Sequence, residues 1–363
     1  MTNNEQNFID EDEQVTHQDY SRLKQVTNGK FDMSLYHMNK ILFVLYEETQ
    51  AIHLVKQYCF ITTCDENKRL GLEFLYWNGF FTELPSLIEK NHQSENPINH
   101  QWAWIYGVML DRLKNRPDPY EYMDKVKKKG FMDPDLQCLA TFLMIYAYFE
   151  LHQFGKLGAY LEQIQSHLER MGQSFLQDMF TDRYYELVFQ YHWRRNELLI
   201  GRKYAYTFIN RSNNLFKKTQ MHIQLAETYV FESYEQAMFH INEARSIAKR
   251  RNDSFSTQLI ESRTIPFIAA VNERAEGIET SYLPEKAHVA IVNGDVETGI
   301  EILESFEELT PFQQYYLGKA TQNKLYLQKA HYRLLNEQSD YFFARLPLRE
   351  LQKLQQHTYY QNG

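Results

Sequence analysis

Few residues in this chain have the types and spacing that could do chemistry, and the cysteines are the first of them. Cys59 and Cys64 stand four residues apart, and the third cysteine is Cys138. A structural zinc site needs a second Cys or His pair at matching spacing, and no such pair follows. We therefore expect ordinary thiols, and we expect no metal and no cofactor.

Motifs that mark enzymes are missing from the sequence. It contains no glycine-rich dinucleotide loop, P-loop, zinc-protease helix, nucleophile elbow or calcium loop. The 13 histidines are scattered, and those on predicted helices, such as His222 and His240, are typical of packed side chains. The sequence predicts no catalytic residues and no enzymatic activity.

Two basic runs could touch phosphate. One is KVKKKG at residues 125–130 and the other is AKRRND at residues 248–253. Cations in the last turn of a helix complement its dipole, and both runs precede a residue that can end a helix. We interpret them as helix ends rather than as a nucleic-acid site.

Composition favours helices. The 363 residues include 26 Tyr and 24 Phe but only 14 Gly and 9 Pro, too few turn residues for a β-sandwich or barrel. The net charge of −8 gives no support to a basic DNA-binding domain. No leader peptide opens the chain, and no apolar run approaches the roughly 20 residues that span a bilayer. We expect an intracellular protein without a membrane partner.

Helix pairs recur along the chain. The second helices of successive pairs begin near Phe154, Arg194 and Tyr234, about 40 residues apart, with later starts near Val296 and Leu325. A helix–turn–helix unit at this period is typical of tetratricopeptide-like solenoids. The predicted fold class is therefore all-α, a right-handed superhelical solenoid of helix pairs.

A solenoid must cover the apolar face of its last repeat. The chain ends on YFFARLPLREL, an apolar stretch in which Pro347 suits the first turn of a helix. We predict that this stretch forms a C-terminal capping helix.

The segment RLPLRELQKL resembles the ending of the arbitrium receptors, AimR-like peptide sensors of Bacillus phages. NGFFTELPSLIEK, YEQAMFHINEARSIA and EKAHVAIVNGDVETGIEILE support this resemblance, which covers roughly residues 19–353. It implies a cytoplasmic regulator in a bacterial host cell, within the tetratricopeptide-type pheromone receptors. Such a receptor binds a short communication peptide in its groove and controls transcription and the choice between phage lysis and lysogeny.

Carried over position by position, the resemblance implies a peptide-binding site. It assigns an acid to Asp340, an apolar contact to Phe343 and a groove acid to Glu285. Two asparagines that would clamp the peptide backbone correspond here to Gln190 and Glu227. An arginine for the peptide carboxylate falls near Phe216, where the adjacent lysines Lys217 and Lys218 are candidate substitutes.

Both ends depart from the family pattern. Residues 1–18 are acidic and predicted to be disordered, and residues 19–30 match only a remnant of a DNA-binding element. In that remnant Arg22, Lys24 and Lys30 are candidates for DNA contact. The predicted solenoid covers residues 31–356, and residues 357–363 form a frayed tail. Direct DNA binding, a homodimer and a protein partner therefore stay open.

The main alternative is a Rap-type solenoid that binds or dephosphorylates response regulators. Such an activity needs a glutamine on an N-terminal helix bundle to place a water, and Gln50 and Gln57 are the candidates. A scaffold protein without a peptide ligand is the third interpretation. The ending RLPLRELQKL favours the arbitrium type.

Overall fold

The computed structural model describes residues 16–361, and side chains up to residue 356. These residues form helices and no strand, so the predicted all-α class is confirmed. The α-helices are α1 His17–Thr27, α2 Leu35–Leu45, α3 Glu48–Ile61, α4 Asp65–Trp77, α5 Leu84–His92, α6 Pro97–Lys114, α7 Pro119–Lys129, α8 Pro134–Glu150, α9 Leu157–Arg170, α10 Phe175–Arg194, α11 Leu198–Arg211, α12 Leu215–Thr228, α13 Tyr234–Arg251, α14 Ser254–Leu259, α15 Ile265–Val271, α16 Leu283–Val292, α17 Val296–Glu304, α18 Pro311–Ala320, α19 Lys324–Tyr332 and α20 Arg345–Gln361.

Two compact units divide the chain. Unit 1 contains the described residues up to Ala147 together with Ala159–Tyr184. Unit 2 contains Tyr148–Gly158 and the described residues from Tyr185 onward. The boundaries between the units fall within helices. For this reason no linker in the sequence indicates the division.

Consecutive helices pack as pairs inside each unit, as expected of a solenoid. In unit 1 α2 packs on α3 and α5 on α6, while in unit 2 α12 packs on α13, α16 on α17 and α18 on α19.

Polar caps define the starts of several helices. Thr310 and Gln313 form a capping box at α18 with Pro311 in its first turn, which satisfies backbone N–H groups that the helix itself leaves free.

The predicted pair starts lie close to the observed ones. The helix expected near Arg194 begins at Leu198, and those expected near Tyr234, Val296 and Leu325 begin at Tyr234, Val296 and Lys324. Near Phe154 the chain makes a short 3₁₀ turn, Phe154–Lys156, that leads into α9. The predicted final helix is present as α20, with Pro347 in its first turn and contacts to α18 and α19.

Helical geometry is irregular at two places in unit 2. A π-helical segment, Ile260–Thr264, separates α14 from α15, and another, Arg333–Glu337, follows α19. A π-helical turn is rare and is frequent at functional sites. Both segments lie next to the cavity described below.

The chain ends and the cysteines complete the comparison. Residues 1–15 of the predicted acidic arm and residues 362–363 of the predicted tail lie outside the described residues, while backbone up to Gln361 is helical. Cys59, Cys64 and Cys138 are free thiols. Among residues 16–361 no helix is long and apolar enough to cross a membrane, and no cluster of three acidic, His or Cys side chains that could hold a metal is found there.

Candidate functional site

A cavity of about 470 Å³ opens inside unit 2. Three acids, two arginines and a ring of aromatic side chains line it. The lining residues are His152, Phe154, Arg194, Glu227, Leu259, Arg263, Thr264, Phe267, Tyr282, Pro284, Glu285, Thr310, Pro311, Phe312, Gln313, Tyr316, Gln338, Asp340 and Phe343. Its size and its mixture of apolar walls with a few polar groups are typical of ligand sites.

Glu285, in the first turn of α16, is the most unusual of these side chains. Its Oε1 accepts a hydrogen bond from the Tyr316 hydroxyl at 3.0 Å, whereas its buried Oε2 has no hydrogen-bond partner among the described residues. Burial raises the pKa of Glu285 to about 8, against the opposing effect of the Tyr316 hydrogen bond. A buried carboxyl oxygen without a partner costs free energy, so a ligand that donates a hydrogen bond to Oε2 would be bound favourably.

His288 lies one turn further along α16 and cannot supply that donor as a cation. Its ring is fully buried, stacks on Tyr316 with centroids 4.0 Å apart, and leaves both nitrogens without a partner among the described residues. Burial holds the pKa of His288 well below its usual value. The 3.6 Å between His288 Nδ1 and Glu285 Oε2 is also too long for a hydrogen bond.

Glu227, at the end of α12, adds a second acid to the cavity wall. Burial raises the pKa of its carboxyl to about 7, and its negative charge in turn raises the pKa of Glu285. Two acids that share one site resist ionising together. The cavity therefore holds protons near neutral pH and would release them to solvent when a ligand cation binds.

Asp340 also lines the cavity, but its charge is already matched. Arg194 Nη1 donates to Asp340 Oδ2 at 2.6 Å. The other carboxylate oxygen accepts from the Phe343 backbone N–H at 2.9 Å. The carboxylate is only 2% exposed. Asp340 therefore fixes the turn before α20 and places Phe343, which leaves it less available to a ligand than Glu285.

Arg263 is the exposed cation of the cavity. It extends from the π-helical segment Ile260–Thr264, and its guanidinium carbon lies 4.1 Å from the centre of the Tyr282 ring. Its charge also acts on Glu285 and lowers the pKa of that carboxyl, against the larger effect of burial. The cavity therefore presents groups of both signs of charge, and such a site can bind a ligand that carries both a cation and an anion.

The structure brings four of the seven predicted peptide-binding residues together. Glu227, Glu285, Asp340 and Phe343 line the same cavity, although they come from α12, α16 and the segment before α20.

The remaining predicted residues are not among those lining the cavity. Gln190 lies partly buried on α10. Lys217 and Lys218 lie in the first turn of α12, and Lys217 Nζ pairs with Glu186 at 3.0 Å. Since Glu227 lies in the last turn of α12, nearly three turns of helix separate the lysines from the acid that reaches the cavity.

Other lining residues were not anticipated from the sequence. Arg194, Arg263 and Tyr316 belong to ordinary helical patterns, in which nothing distinguishes a groove residue from a packed one. Pro266, in the first turn of α15, follows the π-helical segment that carries Arg263.

The three residues suggested for DNA contact lie in or after α1, in unit 1. Arg22 lies 3.5 Å from Asp19, which accepts hydrogen bonds from Thr16 and faces His53. Lys24 and Lys30 are exposed. Gln57, a candidate of the Rap-type alternative, is 2% exposed and so does not face solvent.

Comparison with known proteins gives a family match. The family model described as AimR transcriptional regulator-like matches residues 50–353. An uncharacterised protein of Bacillus anthracis is 24% identical over 68% of this chain and 92% of its own length. The AimR transcriptional regulator of Bacillus phage phi3T is 22% identical over 80% of this chain and 79% of that regulator.

Solved structures match as well. The structure of phAimR with a ligand superimposes with a TM-score of 0.75 at 20% identity, covering 92% of this chain and 96% of that one. The selenomethionine form of phAimR matches with a TM-score of 0.66 at 19% identity. At these identities the likeness shows the fold.

Proposed function

Because the chain belongs to the AimR transcriptional regulator-like family, we propose that it is an arbitrium-type receptor whose cavity in unit 2 binds a short communication peptide. Binding of the peptide regulates transcription and so the choice between lysis and lysogeny of a phage. The protein acts by binding rather than by catalysis.

The observation that carries this proposal is the buried Oε2 of Glu285, which has no hydrogen-bond partner among the described residues. A guanidinium donates from several N–H groups in one plane and suits a carboxylate with a free oxygen. Its positive charge would lower the pKa of Glu285 and ionise it. The ligand is therefore a peptide with an arginine side chain, which enters among the cavity aromatics.

The terminal carboxylate of the same peptide has a partner too. Arg263 is exposed at the cavity, and Tyr282 supports its guanidinium from one side. An arginine in this setting suits a terminal carboxylate. This assignment replaces the lysines at 217 and 218, which lie away from the cavity, as the receptor for that group.

The proposal is tested by titration calorimetry of the full chain with short arginine-containing peptides encoded immediately downstream of its gene. We expect one of them to bind, and Glu285→Gln to weaken its binding by about 1–3 kcal/mol because the guanidinium loses its charged partner. Glu301→Gln, an exposed acid on α17, is the matched control and should bind as the parent does. If none of the peptides binds, or both variants weaken binding equally, the proposal is wrong.

The Rap-type alternative has no observation in its favour. Its water-placing glutamine would have to reach an aspartyl phosphate on a partner; of the two candidates, Gln57 is buried and Gln50 is half-buried. Direct DNA contact and a homodimer belong to the proposed regulatory output.

A further inference from the structure

A group of cations outside the cavity is gathered where one end of α12 meets one end of α13. Lys217 and Lys218 lie in the first turn of α12, while Lys249, Arg250 and Arg251 form the last turn of α13. We refer to these five residues as the basic cluster. None of them lines the cavity.

The two helix ends are in contact. The guanidinium carbon of Arg251 lies 5.1 Å from the centre of the Phe216 ring, and Phe216 directly precedes Lys217. Lys218 is close enough to His222, one turn along α12, for its charge to help lower the pKa of that imidazole, after the larger effect of burial. The basic run at residues 249–251, which by sequence alone reads as a helix end, thus lies near the two lysines at 217 and 218, about 30 positions earlier in the chain.

Helix-end electrostatics do not account for this grouping. Cations are favourable at the C-terminus of α13, but a helix N-terminus carries about half a positive charge and disfavours them. Since one end of each kind meets here, the two half-charges of the backbone cancel. The dipole of α13 explains the three cations in its last turn, but the dipole of α12 opposes the two lysines in its first turn.

Carboxylates offset only part of the cluster's charge. Glu186 pairs with Lys217 at 3.0 Å. Asp253 acts on Arg251, because its charge raises the pKa of that arginine against the larger lowering effect of burial, and its oxygens accept from the backbone N–H and the hydroxyl of Ser256 at 3.0 and 2.8 Å. Lys249 and Arg250 are exposed, and neither they nor Lys218 form an ion pair with any other described residue. A concentration of unpaired positive charge therefore remains on a chain whose net charge is −8.

We propose that the basic cluster is a phosphate-contacting surface for nucleic acid, distinct from the peptide cavity and from α1. Nucleic acid is favoured over an acidic protein because the cluster combines arginine, which binds phosphate in two-pronged fashion, with lysines as point charges. A basic patch on one face is the electrostatic footprint of such binding. The choice of DNA as the ligand rests on the proposed role in transcription.

The test measures binding of the full chain to a fluorescently labelled 20-base-pair duplex at several salt concentrations. Each phosphate contact contributes about 0.9 to the slope of log affinity against log salt. The variant Lys249→Gln/Arg250→Gln should lower that slope by about two and weaken binding at least tenfold at 0.1 M salt. The matched control, Lys125→Gln/Lys127→Gln, removes two exposed cations from α7 in unit 1 and should bind as the parent does.

Three outcomes would overturn the proposal: no binding of the duplex by the parent chain, equal losses in the two variants, or displacement of the duplex by polyglutamate as readily as by unlabelled duplex. The last result would mean that the surface prefers an acidic protein.

Peptide calorimetry on the same variants separates this inference from the proposed function. We expect both variants to retain the peptide affinity of the parent, which also shows that they are folded. If the parent chain binds the duplex but no peptide, only the proposed peptide-receptor function is contradicted. Peptide binding combined with unchanged DNA binding in the cluster variant would contradict only the basic cluster.

Discussion

At the scale of single residues, the chemistry of this protein is concentrated in two carboxyl groups. Glu227 and Glu285 line one cavity, and burial raises their pKa values to about 7 and about 8. Each is therefore partly or largely uncharged at neutral pH in the free protein. A ligand cation binds best to the ionised form, so binding and proton release are coupled.

This coupling predicts a pH dependence of peptide affinity. Below the pKa of an acid, ionising it for the ligand costs more as the pH falls. Affinity for an arginine-containing peptide should therefore rise as the pH goes from 6 to 8, by up to about tenfold per unit, and level off above 8. The measurement is calorimetry with an N-acetylated peptide, because a free α-amino group titrates in the same range.

The double variant Glu227→Gln/Glu285→Gln is the control for that experiment. It should bind the peptide more weakly at every pH and show no slope between pH 6 and 8. A slope that survives in the double variant would assign the titration to a group other than these two carboxyls.

At the scale of elements, irregular helical turns build the site. The π-helical segment Ile260–Thr264 carries Arg263, and the segment Arg333–Glu337 leads into Gln338 and Asp340, which also line the cavity. A π-helical turn holds one residue more than an α-turn, so it shifts the side chains that follow it. Asp340 holds the chain after the second π-helical segment in place, because it accepts hydrogen bonds from Arg194 and from the Phe343 backbone N–H.

We predict that Asp340→Asn destabilises unit 2 by about 1–3 kcal/mol, because Arg194 loses a charged partner. The amide oxygen of Asn can still accept from the Phe343 N–H, whereas Ala cannot. Asp340→Ala should therefore cost about 1 kcal/mol more than Asp340→Asn. Urea unfolding of the two variants measures this difference, and equal costs would mean that the bond to Phe343 contributes nothing.

In unit 1 a fully buried ion pair joins α4 to α10. Arg183 Nη2 donates to both oxygens of Glu73 at 2.5 and 2.6 Å, and the hydroxyl of Tyr106, on α6, also donates to Glu73. Both charged side chains are 0% exposed. Burying such a pair is expensive, so its net contribution to stability is small, but breaking it leaves a charge in the core.

Glu73→Gln should therefore lower the free energy of unfolding of unit 1 by about 3–5 kcal/mol. The double variant Glu73→Leu/Arg183→Met removes both charges and should recover most of the loss. Chemical unfolding of the two variants, followed by a signal from unit 1, makes the comparison. If the double variant is as unstable as the single one, the two side chains stabilise unit 1 through their packing rather than through their charges.

At the scale of the whole molecule, the cavity is a property of unit 2 alone. Every residue that lines it lies within Tyr148–Gly158 or after Tyr185. We predict that a chain lacking residues 1–15 binds the peptide with unchanged affinity. Hydrogen exchange with and without peptide should show new protection in the helices that surround the cavity, α12, α16 and α18 above all. Lost binding in the shortened chain would mean that the first 15 residues take part in the site.

How much of the site the sequence could predict differs from residue to residue. Glu285 and Asp340 were found through the resemblance, but their different states were not, since pairing with Arg194 depends on a residue 146 positions away. Lys217 and Lys218 were expected near the ligand because an arginine of the family falls beside them. Helix α12 carries them away from the cavity while it brings Glu227 to it.

The sequence by itself determined the all-α class, the recurring helix pairs and the capping helix. These follow from local periodicity, caps and the position of proline, which act over a few residues. Only the tertiary structure decided which acid has a partner, which of the candidate residues line the cavity and which basic runs meet. Burial and pairing arise between residues that are far apart in the chain, and those contacts set the pKa of Glu285 and join the ends of α12 and α13.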